Sequence, residues 1–396
     1  MKKKILIFTP HFYPENFIIN DFVKKLSSKY IFFIITSSPH YPKKEYFKDY
    51  SIFNIYEKKN NSLFILRLPV LGRMGNSLFF LSLNYISYLI SFIIFFPVFF
   101  FIKFHSIFIF QTSPVTVALP AILIKFFFNK KITIWVLDIW PEVITSVSHI
   151  TKKNIIYKLL NLITIFIYKY SDTILVSSRQ FKKNINSKIK KKDIIFFPQW
   201  SINKLKQDKK LVKNDNTFKI FHIGNMGSAQ DLESLAKAIR LSNRDNISWH
   251  FVGDGSERNK FEKKLKYFGI EKNIYFYGLV PQQFLNEFYN KADALILSLK
   301  RSPILKLYLP ARLSDYLYHS KPILLMASGD VFDIIKEHQC GLVSKSAEYK
   351  KLALNIDKLF KSSENFKIKL SQNSKKLYKK YFDFTNAYRI IRDKCF

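Results

Sequence analysis

The chain has 396 residues, 48% of them hydrophobic, and a net charge of +35 from 64 basic and 29 acidic side chains. That length suffices for two domains with full cores, and that hydrophobic share excludes general disorder. The two cysteines, Cys340 and Cys395, have no metal-ligand spacing, which fits a reducing compartment and excludes a disulfide scaffold.

The chain opens on three lysines and only four apolar residues before Thr9, too few for the core of a signal peptide. Ile5–Thr9 therefore reads as a buried strand. Ile18–Leu26 follows as a helix with Ile18, Ile19, Phe22, Val23 and Leu26 on one stripe. Further strands are expected at Ile31–Thr36 and Leu63–Leu68, with the loop Pro39-His40-Tyr41-Pro42 between them. From Met74 to Ala121 the only charged residue is Lys103. Within the apolar helix expected at 78–102, the 18 residues Tyr85–Ile102 reach the lower length limit for crossing a bilayer. Strands on both sides of it, and Pro97 within it, favour a helix lying in the bilayer interface. A re-entrant or spanning helix and an ordinary core helix stay open. Strands Ile107–Phe110, Ile132–Leu137 and Thr173–Val176 follow, with a helix at Ile155–Tyr170 carrying Ile155, Leu159, Leu162, Ile163 and Phe166 on one face.

Residues 201–217 are polar and charged and read as a linker. Alternation then restarts, with strands at Phe218–Ile223, Ile247–Val252, Ile274–Tyr277, Ala294–Leu299, Pro322–Ala327 and Leu342–Val343. Helices are expected around Leu232–Ile239, Phe261–Phe268, Phe284–Tyr289, Ala311–Tyr318 and Val331–Lys336. A lysine-rich helical tail spans 349–396. Such alternation means parallel sheets flanked by helices. Two such halves, 1–200 and 218–375, leave a cleft at the carboxyl ends of their strands, with a last helix, 376–396, returning to the first half.

Ten glycines occur in the chain, and eight lie beyond position 220. Gly224 and Gly227, Gly253 and Gly255, and Gly278 close successive apolar runs, where an α/β fold admits phosphate to bare backbone N–H groups. Gly224-Asn225-Met226-Gly227 lacks both the dinucleotide spacing G-x-G-x-x-G and the P-loop ending Gly-Lys-Ser/Thr, which weighs against NAD-dependent and P-loop chemistry. A tight turn without ligand is the alternative there and at Gly253-Asp254-Gly255. Arg312 and Asp315 share one face at a helix start. Arg312 suits a leaving phosphate and Asp315 two ribose hydroxyls, with a plain ion pair as the alternative. Asp138, Trp140 and Glu142 stand at a strand end in the first half, where either carboxylate otherwise serves as a helix cap. His11 and His40 lie near strand ends, with structural roles favoured. No Asp-x-Asp pair occurs, so the usual metal–diphosphate ligand pattern is missing. The charge suits anionic lipid or phosphate-bearing substrates. No nucleic-acid-binding pattern accompanies it, so nucleic acid is not expected as a partner.

In this order the pieces resemble GT-B glycosyltransferases of family 4, close to the WbuB-like enzymes of O-antigen and capsule synthesis. The resemblance rests on Tyr13–Asp21, Pro39–Pro42, Asn84-Tyr85, Gln111–Pro114 and Leu137–Glu142. In the second half it rests on Gly224–Gly227 with Ala229–Asp231, Gly253–Gly255, Gly278–Pro281, Pro310–Tyr316 and Lys321-Pro322. It implies two Rossmann-like parallel-sheet domains facing across a cleft, a sugar nucleotide held by the second, and an acceptor held by the first. Asn16, Gly224, Asn225, Gly227, Asp254, Gly255, Val280, Arg312 and Asp315 are then donor-binding. Asp138, Glu142 and Arg312 are the catalytic candidates, with His40 and Trp140 on the acceptor side. The chain departs from the family at Leu307, where many members carry an acid, at Arg312, usually Lys, and at Asp315, usually Glu. No histidine precedes Asp138 at its strand end. The first loop has Asn16-Phe17 where many relatives have a glycine pair.

The implied reaction is retaining, metal-independent transfer from a UDP-sugar, with no cofactor. An N-acetylated deoxyhexosamine is one candidate sugar and a polyprenyl-diphosphate-linked saccharide the acceptor. Domain closure would exclude water. The implied location is the cytoplasmic side of an anionic inner membrane, held peripherally or monotopically. Transfer from a GDP-sugar, a GT-B epimerase and a non-catalytic basic membrane scaffold are the competing readings.

Overall fold

The computed structural model describes residues 2–41, 47, 49–51, 55–72, 78–148, 150–190, 193–202, 217–242 and 245–396. Most of the expected linker, residues 203–216, lies outside the described residues, as does Pro42. The chain divides into two compact units, one of residues 1–197 with 388–396 and one of residues 198–387.

The first unit runs β1 (Lys3–Phe8), α1 (Ile18–Leu26), β2 (Tyr30–Ser37), β3 (Tyr56–Asn60), β4 (Leu63–Leu68) and α2 (Leu78–Phe95). It continues through β5 (Ser106–Gln111), α3 (Ala118–Phe128), β6 (Lys131–Val136), α4 (Ile144–Val147), α5 (Ile155–Tyr170), β7 (Thr173–Val176), α6 (Arg179–Lys188) and β8 (Ile194–Phe196). Its eight strands form one sheet in the order β3-β4-β2-β1-β5-β6-β7-β8. All neighbours are parallel except β3, which pairs antiparallel with β4 at the edge. Central strands are continuous apolar runs because both faces of a parallel sheet are covered; Ile5, Leu6, Ile7 and Phe8 are all fully buried.

The apolar block becomes α2 followed by a 3-10 turn at Phe96–Phe101 that opens at Pro97, whose ring cannot continue the α-helix. One side of this segment packs on the sheet, with Phe92 and Phe99 against Phe8 at ring-centroid distances of 6.0 and 6.2 Å. Asn84 donates its amide to the Leu71 carbonyl and Ser91 its hydroxyl to that of Pro69, tying the helix to the chain leaving β4. The other side is exposed. In α5 the apolar stripe read from the sequence is not the packing face. Tyr157, Thr164, Ile167 and Tyr168 turn inward, and Ile155, Leu159 and Leu162 are exposed.

The second unit runs β9 (Phe218–Ile223), α7 (Leu232–Leu241), β10 (Ile247–Val252), α8 (Arg258–Tyr267), β11 (Ile274–Gly278), α9 (Leu285–Lys291) and β12 (Ala294–Ser298). It goes on through α10 (Arg312–Tyr318), β13 (Ile323–Met326), α11 (Asp330–Glu337), β14 (Gly341–Ser344), α12 (Tyr349–Lys361) and α13 (Glu364–Leu377). The last helix, α14 (Phe384–Ile390), crosses the boundary between the units. Six parallel strands form the sheet β11-β10-β9-β12-β13-β14. The reversal of order at β9 and β12 places the carboxyl ends of those strands at a topological switch point, the usual place for a ligand in such a sheet.

Candidate active site

In the second unit the turns after β9, β10 and β11 are joined backbone to backbone. Gly224 N–H donates to the Val252 carbonyl, Met226 N–H to that of Asp254 and Gly253 N–H to that of Gly278, each at 2.8 Å. This requires glycine at 253, where φ is +124° and a Cβ would sit 2.3 Å from the Gly224 carbonyl oxygen. At Gly224, with φ +130°, a Cβ would meet the guanidinium carbon of Arg312 at 3.1 Å. Bare backbone thus lets a cation lie against the turn.

Arg312 opens α10 and is fixed by two partners. Its Nη2 donates to the Asn225 carbonyl at 2.6 Å and its Nη1 to Nε2 of His222 at 2.9 Å. A guanidinium only donates, so His222 accepts at Nε2 and carries its proton on Nδ1. His222 is fully buried in β9. Burial first, and then the Arg312 charge, hold its pKa well below 6.5, and the ring stays neutral. On the same helix, the buried Tyr316 hydroxyl accepts from Ile223 N–H and donates to the Ile296 carbonyl, both at 3.1 Å, pinning the ends of β9 and β12. Asp315 Oδ1 accepts from the Ser201 hydroxyl at 2.6 Å.

Asp254 folds back to accept from Gly255 N–H at 2.8 Å. Val280 is half-buried just past β11. The helix after Gly227 does not begin there. It begins at Leu232, with Asp231 capping Ser234 N–H at 3.1 Å, so the turn is separated from the helix N-terminus. What the turn itself offers are the Asn225 and Gly227 amides, which have no acceptor among the described residues.

In the first unit the loop after β1 is organised by Glu15, a residue the sequence reading gave no role. Its buried carboxylate accepts from His40 N–H at 3.1 Å and Tyr41 N–H at 2.7 Å on one oxygen. The other oxygen accepts from His11 Nδ1 at 3.0 Å. His40 is buried, and its Nδ1 donates to the Ser38 carbonyl at 2.8 Å. Asn16 is exposed in the loop between β1 and α1. His11, His40, Asn84 and Ser113 line a water-sized cavity of ≈ 20 Å³.

Ser113 leads on to the stretch after β6. Its hydroxyl donates to Asp138 Oδ2 at 2.8 Å and accepts from Trp140 Nε1–H at 3.2 Å, while Gln111 Nε2 donates to the Asp138 carbonyl at 3.0 Å. Asp138 and Trp140 are therefore brought together through Ser113. Glu142 is not part of that group. It takes the Lys188 ammonium at 2.8 Å and the Asn184 amide at 2.9 Å, anchoring α6. Burial lowers the Lys188 pKa despite the opposing pull of Glu142. Among the described residues no group of three His, Cys, Asp or Glu is placed to hold a metal ion.

The sequence reading missed His222, Glu15, Ser113 and Ser201 as organising residues. His222 had a signal: a lone histidine inside an apolar strand, two residues before a glycine turn. The others are legible only from contacts distant in sequence.

The family described as Glycosyl transferases group 1 matches over residues 203–377. The matched stretch lies within the second unit. A probable glycosyltransferase of Pseudomonas aeruginosa, WbjE, is 25% identical over 186 residues, a stretch covering 41% of this chain and 46% of that protein. The match spans about half of that relative's length. Among solved structures, a sucrose-phosphate synthase from Thermosynechococcus elongatus superposes with a TM-score of 0.71 at 13% identity, over 99% of each chain. Anabaena HepE in complex with UDP gives 0.67 at 12% identity, again over 99% of each chain. The chain has the GT-B fold.

Proposed function

We propose that this chain is a retaining, metal-independent glycosyltransferase that moves a sugar from a UDP-sugar to a polyprenyl-diphosphate-linked saccharide in surface-polysaccharide synthesis. The observation carrying this reading is the cation locked on the first glycine turn. A neutral histidine and a backbone carbonyl hold Arg312 against Gly224, inside the stretch that matches the glycosyltransferase family. The chemical task is to stabilise a departing diphosphate and a cationic sugar. A preorganised guanidinium with two unbonded amides does the first with no reorganisation at the moment of reaction. In this reading Arg312, Asn225 and Gly227 hold the diphosphate, and Asp315, oriented by Ser201, takes the ribose. Gly224, Asp254, Gly255 and Val280 shape the donor pocket. UDP bound to the similarly folded HepE supports a uridine nucleotide over a guanosine one.

Asn16 near the donor sugar and His40 and Trp140 on the acceptor side belong to the first unit. Asp138, held by Ser113, is the group set to stabilise the sugar cation. Glu142 acts through Lys188 on the backbone that carries Trp140. A lipid-borne acceptor sets the reaction at the cytoplasmic face of the inner membrane. Calorimetry with UDP and GDP, and turnover with and without EDTA, test the reading. Binding of UDP over GDP and EDTA-resistant transfer with retained anomeric configuration are expected. Binding of neither nucleotide overturns the enzyme reading, and metal-dependent turnover overturns the metal-free one.

A further inference from the structure

In the first unit α2, the turn after it, α3 and α5 leave an apolar face with no cover. The exposed side chains are large: Phe101 is 87% exposed and Ile155 75%, with Ile93, Ile94, Phe127 and Leu162 also open. Ring contacts join the helices into one surface. Phe96 meets Phe127 at 5.0 Å, and Phe126 meets Tyr170 at 5.1 Å, linking the turn after α2 to α3 and α3 to α5. Isolated exposed apolar residues are ordinary, but a joined patch of this kind marks an interaction surface.

Charge identifies the occupant. No Asp or Glu occurs between residues 58 and 137, or between 143 and 171, the stretches that supply these helices. Their charged residues are basic, and Lys103, Lys152, Lys153 and Lys158 are exposed. A second copy of a chain with net charge +35 would bring like charge against like. Apolar side chains flanked by exposed lysines, with Asp172 at the end of α5 taken up by Lys125 of α3, match instead the acyl boundary and anionic headgroups of a bilayer. Ser82–Phe101 is long and apolar enough to cross a membrane. Yet Phe92 and Phe99 on its inner side pack against Phe8 of the central strand, and spanning would strip that contact.

We infer that α2, α3 and α5 together form a monotopic face that seats the first unit on an anionic lipid bilayer, with α5 contributing a ridge of Ile155, Leu159 and Leu162. This deepens the lipid-linked acceptor reading and rests on it only for its biological purpose. The face presents the unit at the surface where such an acceptor resides.

Co-sedimentation of the purified full chain with phosphatidylcholine vesicles, with and without phosphatidylglycerol, tests it. Binding to the anionic vesicles that weakens with salt is expected. The paired substitution Leu159→Ser with Leu162→Ser lowers the partition about tenfold or more, because two leucines leave the acyl boundary. Ile93→Ser with Ile94→Ser does the same, and Lys152→Glu with Lys153→Glu removes the preference for anionic lipid. All six positions are exposed, so the unfolding midpoint stays at the wild-type value. Absence of wild-type binding to either vesicle overturns the inference, as does an α5 pair that binds like wild type. So does concentration-dependent dimerisation lost in these variants without lipid binding. UDP calorimetry on the same samples separates failure of this inference from failure of the catalytic reading.

Discussion

In the proposed donor site Arg312 is the central cation, and its replacement yields two separable quantities. Arg312→Ala removes the bond to the exposed Asn225 carbonyl, which water replaces at little cost. It also removes the bond to His222 Nε2, which is fully buried and is left an acceptor without a donor. An unsatisfied buried acceptor costs about 1–3 kcal/mol, so the second unit loses roughly 2 kcal/mol of stability, read from urea unfolding. Independently, losing one guanidinium–phosphate bond of about 1.5–3 kcal/mol weakens UDP binding by about 10–100-fold in calorimetry. Arg312→Lys keeps the charge but not the planar fork. It reaches either His222 or the nucleotide, so it recovers part of one loss and not both. UDP affinity in Arg312→Ala within about twofold of wild type would refute the assignment of this cation to the diphosphate, whatever the urea curve shows.

The remaining predictions concern what holds the site. His222 and His319 are both held below their ordinary 6.5 by burial, His319 to about 3, so the unfolded chain binds more protons than the folded one as pH falls through 6.5. Stability is then flat above that pH and falls below it, by about 1 kcal/mol per ring near pH 5.5, measured by urea unfolding across pH; a flat profile refutes it. Gly253→Ala forces a Cβ to 2.3 Å from a carbonyl oxygen at φ +124°, and at least about 2 kcal/mol of destabilisation is expected in the same assay. Lys188→Met leaves the Glu142 carboxylate with Asn184 as its partner in a nearly buried place, a loss of about 3 kcal/mol. Adding Glu142→Leu recovers much of it, and a double variant no better than the single one counts against a buried pair.

The alternation of strands and helices was legible because both sheets are parallel, and strands buried on two faces read as unbroken apolar runs. The exceptions follow from the same physics. β3, Tyr-Glu-Lys-Lys-Asn, is an antiparallel edge strand whose residues are largely exposed, so it has no apolar run to announce it. α6, Arg179–Lys188, buries only Phe181 and Ile185 and is polar elsewhere. It is held by Lys188 reaching Glu142 across 46 residues of sequence, a contact no local pattern encodes. The glycines located the joined turns after β9, β10 and β11 because positive φ and close backbone approach exclude other residues there. The helix expected around Leu232–Ile239 does begin at Leu232, and what no local pattern gave is its Asp231 cap and the joining of the neighbouring turns.

The α5 stripe shows where periodicity stops being informative. Ile155, Leu159, Leu162, Ile163 and Phe166 recur at helical spacing, which ordinarily marks the side facing a core. In the fold that core side is filled by Tyr157, Thr164, Ile167 and Tyr168, so the helix is apolar on two faces, and one must be satisfied elsewhere. Spacing yields a stripe but not its partner. The partner is specified by what the stripe lacks: with no carboxylate between Glu142 and Asp172 and exposed lysines along the helix, the sequence favours an anionic neighbour over a second protein surface rich in lysine. The same composition that makes α2 look like a bilayer span thus acquires a different meaning once its inner side is seen on the sheet. The apolar block is half a core and half a surface, and α5 supplies the other half of that surface.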